Sequence, residues 1–218
     1  MLPGRRVPDM IRRGLGLGAR GAGDWCDLYR ATSAEQPLGA DNRVLRLPAA
    51  FVAPGNPKAG VSYGAAVWQG IFDAAYVRPG DYLVGADGVF FVASLTRLGP
   101  VLCVRTNRTL TLSRPTAPAM AGVSRYGGVL PTETTPLMTA WPASVLNRQR
   151  DGGRGALPGD APGRTGGAGG WEVLLPGTPG VLLRPGDLVN DDLGRTGVLS
   201  GTELTALGWR LFARQAGS

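Results

Sequence analysis

The chain has 218 residues, 43% of them apolar, with 35 glycines, 18 prolines and only five each of Trp, Tyr and Phe, so it allows one large domain or two small ones with thin cores. It holds no histidine and only two cysteines, Cys26 and Cys103, which excludes histidine triads, histidine-ligated metals and a disulfide scaffold. The net charge of +7 rests on arginine, since Lys58 is the single lysine; codon usage of a GC-rich genome explains that skew as well as guanidinium pairing with carboxylates or phosphates at interfaces does.

Residues 1–24 read as a basic arm and a short helix. Asp9 is placed to cap a helix from Met10 to about Gly21, with Ile11, Leu15 and Ala19 on one face, although each glycine in it costs ~1 kcal/mol relative to alanine. No continuous apolar stretch follows the basic residues, so no secretion signal is expected, and nowhere do enough apolar residues run together for a membrane span. A reducing cytoplasm is the expected folding compartment. Residues 25–31 alternate as a first strand, residues 32–42 read as loop, and a second strand from Arg43 is expected to end at Pro48. Residues 63–77 read equally as a short helix or as strands flanking Gly70.

Residues 78–114 carry the clearest pattern. Arg78-Pro79-Gly80-Asp81 is a turn, and the apolar run Tyr82-Leu83-Val84 meets a second run, from Val89, across Ala86-Asp87-Gly88. Asp-Gly between two such runs is a strong hairpin signal, because glycine accepts the positive φ of a tight turn. Val101-Leu102-Cys103-Val104 and the alternation around Leu110 and Leu112 extend this into an antiparallel meander. The first β module is therefore set at residues 25–115.

The same grammar returns in residues 116–218. Arg184-Pro185-Gly186-Asp187 repeats the opening tetrapeptide 106 residues on, Trp141-Pro142-Ala143 echoes Leu47-Pro48-Ala49, and Trp209 to Arg214 echoes Pro100 to Arg105. Three landmarks in one order indicate duplication of a β module. Residues 119–140 read as loop with one weak strand. Residues 147–170 hold nine glycines and are expected to form a mobile loop, being unable to bury enough surface to offset ordering entropy. The fold expected is mainly β, two tandem small barrel or sandwich modules behind a short N-terminal helix.

Chemistry is sparse. Cys26 and Cys103 fit two small core residues in separate strands, Asn190-Asp191-Asp192 fits a turn, and the glycines at 14, 16 and 18 lack the strand and lysine of a phosphate loop. No catalytic residue, metal ligand or cofactor is assigned. Arg105, Arg108 and Arg114 align along one expected strand edge, with Arg210 and Arg214 in the later copy, which suggests a subunit-facing strand or the basic stripe of a nucleic-acid binder.

Ile11-Arg12-Arg13-Gly14, Tyr29-Arg30, the tetrapeptide at 78–81 with Tyr82-Leu83-Val84, Phe91-Val92-Ala93 and Val104-Arg105-Thr106-Asn107-Arg108 together resemble small neck and tail proteins of tailed bacteriophages of GC-rich hosts. In those proteins the Tyr-Arg pair is often followed by Pro, where this chain has Ala31. The resemblance implies a virion structural protein without catalysis, assembled in the host cytoplasm. Its partners would be portal, adaptor or tail subunits and copies of itself, close to DNA.

Overall fold

A computed structural model of the chain describes residues 6–53, 65–96, 99–116, 134–148, 170–178 and 180–215. Helix α1 (Arg6–Ala22) starts earlier than Asp9, which therefore lies inside the first turn, where a negative charge suits the helix dipole. Four glycines do not break it. Ile11 and Leu15 are half-buried and Ala19 fully buried, and a Cβ on Gly16 would stand 3.1 Å from that of Asp73. Packing on one face outweighs weak propensity.

The first six strands are β1 (Asp24–Tyr29), β2 (Arg43–Val52), β3 (Val67–Ile71), β4 (Tyr82–Gly85), β5 (Gly88–Ser94) and β6 (Val101–Arg105). They close into a barrel in the order β1-β2-β3-β6-β5-β4, every neighbour antiparallel. The next six are β7 (Arg108–Pro115), β8 (Thr134–Arg148), β9 (Gly170–Leu175), β10 (Leu188–Asp191), β11 (Thr196–Thr205) and β12 (Gly208–Gln215). They close into a second barrel in the order β7-β8-β9-β12-β11-β10, the same circuit shifted by six strands. The chain is mainly β, and the strand order repeats.

Register repeats as well. Pro48 stands opposite Trp25 and Pro142 opposite Thr109, and Trp68 pairs with Cys103 as Trp171 pairs with Ala213. Both β5 and β11 bulge one residue beyond the tetrapeptide's partner, at Val92/Ser94 and Leu199/Gly201. These contacts put Leu102 in the place of Phe212, so Arg214 matches Val104 and Arg105 matches Gln215. The echo read from sequence is thus one residue out of step.

Several expected boundaries move. β7 pairs with β8 and β10, not with β6, so the first barrel ends at Arg105 and the second begins at Arg108; the boundary set at 115 is displaced. Asn107 fixes the crossing by giving its side-chain N–H to Val145 O (2.9 Å) and accepting Val145 N–H at its carbonyl oxygen (2.8 Å). β2 runs through Pro48, and β8 runs from Thr134 through Pro136 and Pro142. β3 pairs with β2 only over Ala50 to Val52 and β9 with β8 only over Ser144 to Arg148, so neither Pro48 nor Pro142 sits where that neighbour needs an N–H. The segment at 63–77 contributes β3. Residues 149–169, the bulk of the expected mobile loop, and residues 117–133 lie outside the described residues; Asn147, Arg148 and Gly170 belong to strands.

The first barrel is filled by Leu28, Phe72, Leu83, Phe90 and Val92, with Phe51 stacked on Phe90 at 3.7 Å. The core of the second holds Leu110, Leu112, Trp141, Trp171, Val173 and Leu211, and it is continuous with Tyr82, Phe91, Ala93 and Val104 of the first barrel. One apolar cluster therefore crosses the joint.

Cys26 and Cys103 are free and buried in β1 and β6. Burial pushes the Cys26 thiol up to about 11, helped by Asp87, and that of Cys103 to about 12. Both should resist a thiol reagent in the native protein at pH 8 and react after denaturation. Because the folded values exceed the ordinary 9.0, the stability they contribute is complete below about pH 9 and is lost as pH rises through about 11–12. Urea melts between pH 8 and 11 should show a falling midpoint, and native-state labelling of either thiol at pH 8 would contradict this burial.

Candidate interface

The duplicated tetrapeptides do more than turn the chain. Gly80 and Gly186 adopt φ of 90° and 94°, which frees the following aspartates to point inward, and Asp81 and Asp187 are each 2% exposed. Arg30 donates Nε and Nη2 to the two oxygens of Asp81 (2.8 and 2.7 Å) and also donates Nη2 to Tyr76 O (2.8 Å). Arg114 repeats this on Asp187 (2.7 and 2.9 Å) and on Leu182 O (2.8 Å). Each carboxylate also accepts a backbone N–H, from Arg78 (2.7 Å) or Arg184 (2.8 Å). The side chains of Arg78 and Arg184 themselves stay exposed. The carboxylates lift the basicity of Arg30 and Arg114 through these hydrogen bonds. Arg114 is therefore a clamp of the second barrel. The signal was present in Leu28-Tyr29-Arg30-Ala31-Thr32 against Leu112-Ser113-Arg114-Pro115-Thr116, where the second copy even carries the Pro.

The expected arginine edge does not form, because closed barrels have no free edge there. Arg105 ends the first barrel, donating to Asp87 O (3.2 Å) and lying 5.5 Å over the Trp68 ring. Arg108 donates to Asn107 O and reaches Asp192 at 3.9 Å. Arg210 pairs with Glu172 (2.6 Å) and covers Phe212. Arg214 is part of β12 opposite Val198. Arg105, Arg108, Arg114 and Arg210 are each engaged by partners of their own.

What the structure does bring together is a joint and a groove. At the joint, β3, β5 and β6 of the first barrel face β9, β11 and β12 of the second around a cavity of about 250 Å³ whose lining includes Phe91, Val104, Leu174 and Trp209. Tyr82 is fully buried, gives its hydroxyl proton to Pro142 O (2.8 Å) and sets its ring edge-on to Trp141. The segment after β1 crosses as a strap along β8: Ala34 O accepts from Thr139 N (3.0 Å) and Trp141 Nε1 (2.7 Å), and Gln36 N donates to Thr139 O (2.9 Å). Asn42 ties the strap down, donating Nδ2 to Gln36 O.

The groove, about 530 Å³, lies between α1 and β2. Leu45, Leu47, Pro48 and Val77 supply apolar walls, and Arg13, Arg20 and Arg46 stand against a single carboxylate, Asp73. Trp25 (58% exposed) and Tyr76 (74%) line it and remain open to solvent, with the Arg46 guanidinium over the Trp25 ring. Nothing in the sequence pattern pointed to it, since its walls come from segments that are distant in the chain.

Among the described residues no group of three or more His, Cys, Asp or Glu is arranged to hold a metal, and no helix is long and apolar enough to cross a membrane. Comparison with models of known protein families, with curated proteins and with solved structures finds no match.

Proposed function

We propose that this protein is a non-enzymatic structural subunit of a tailed-phage virion, at the head–tail junction or in the tail. One observation carries the reading: the chain is two copies of one barrel, docked through an apolar face and a backbone strap, which is a device for placing modules in series. The resemblance of its turn-and-strand signatures to those of phage neck and tail proteins supports it, and so does a groove lined with Trp, Tyr and Arg, the residue types that anchor protein interfaces. The partners it fits are portal, adaptor or tail subunits and its own copies.

Mass spectrometry of purified particles should find the chain at a fixed, symmetric copy number; its absence would sink the virion reading. A nucleic-acid-binding β-module is the second reading. It now rests on the groove, where Trp25 and Tyr76 stand among three arginines, rather than on Arg105, Arg108 and Arg114. A binder of single strands would lose affinity by about 0.7 log units per log unit of salt for each phosphate contacted. A virion subunit should show no such steep dependence when isolated.

A further inference from the structure

We propose that the groove between α1 and β2 receives an extended segment of a second copy of this chain, the segment that follows β7. The inference rests on the assembly reading above and names its contact.

The joint inside the chain is the template. There the segment after β1 leaves its own barrel and lies on β8 of the next, along a stretch that β9 leaves uncovered. The first barrel has the same stretch. Residues 43–48 of β2 have no β3 partner, and among the described residues they make no backbone hydrogen bond to α1 or to the segment at 73–77. Leu45 to Pro48 of this stretch form one wall of the groove. Among the described residues no strap lies on them, and α1 stands where a preceding barrel would supply one. Gly23, just before β1, approaches the Ala49 carbonyl closely, as Asn107, just before β7, donates its N–H to Ala143 O (2.9 Å).

The counterpart of the strap is the chain after β7. It follows clamped Arg114 as the strap follows clamped Arg30. Residues 117–133 supply Met120, Val123, Tyr126, Val129 and Leu130 for an apolar floor, and their two charges, Arg125 and Glu133, cancel. Applying the first-to-second-barrel relation once more places that segment on the first barrel of another copy. The contact is head-to-tail, with a strand edge accepting an extended peptide. An apolar floor beside a backbone edge that no described residue of α1 or β3 pairs suits a peptide better than a phosphate backbone.

The test uses the full-length protein with Leu17→Cys on one batch and Met120→Cys on another, the native thiols being buried. A short bismaleimide should give a two-chain product in the mixture and little in either batch alone. A product equally strong in the single batches would mean an isologous contact, and no product in the mixture would mean no contact; either overturns the proposal. So would a cross-link confined to one chain in a doubly substituted monomer. Tyr76→Ala, at an exposed position, should lower the yield or raise the Kd for self-association about tenfold, equivalent to ~1.4 kcal/mol, and an unchanged value counts against the site. Oligonucleotide binding that is lost in Trp25→Ala, with no cross-link, would assign the groove to nucleic acid and overturn the proposal. If the chain is found in particles yet no cross-link forms, the self-contact fails while the structural role stands.

Discussion

Asp81→Asn and Asp187→Asn should each destabilise the protein by about 3 kcal/mol, a large share of the 5–15 kcal/mol available to a typical domain. Each carboxylate is buried, anchors three N–H donors and holds an arginine that also ties down a carbonyl, of Tyr76 or of Leu182. The amide keeps the shape but turns one acceptor into a donor facing the guanidinium. Arg30 and Arg114 have side chains 26% and 34% exposed, so water rescues part of the loss and the figure sits at the low end for a broken buried pair. Arg30→Lys should be less costly, since an ammonium keeps the charge but loses the two-pronged geometry. Urea melts decide this: a loss under about 1 kcal/mol for both aspartates would show that the clamps are ornamental.

Tyr82→Ala should cost about 3–5 kcal/mol and, more tellingly, split one unfolding transition into two. The ring fills the joint between Phe91 and Trp141, and its hydroxyl satisfies a carbonyl of the other barrel. Remove it and each barrel keeps its closed sheet, but the cluster that joins them loses its centre. Tyr82→Phe separates the two contributions, leaving packing intact and the Pro142 carbonyl unpaired, at about 1–2 kcal/mol. Calorimetry checks both variants. A single sharp transition in Tyr82→Ala would mean that the strap, Asn107 and the rest of the apolar joint couple the barrels without it.

By itself, the sequence determined whatever depends on neighbours in the chain. Gly80 and Gly186 mark turns because only glycine takes their φ cheaply, the Asp87-Gly88 pair marks a hairpin, and the spacing of Ile11, Leu15 and Ala19 marks the buried helix face. Recurrence of these local signals announced two β modules. Only the tertiary structure decided what depends on partners far apart in the chain. The module boundary fell at 106–107 because β7 finds its partners in β8 and β10, although β6 lies two residues away. Pro48, Pro136 and Pro142 stay within strands because the neighbouring strand asks for no hydrogen bond there, a fact set by where β3 and β9 begin and end. Arg114 looked like one of a row of surface charges, and became a clamp because closure brings Asp187 within 2.7 Å of it across 73 positions of chain. Local geometry is written in short stretches of residues, whereas pairing across a closed barrel is a choice among many distant strands and is settled only when the last one closes the ring.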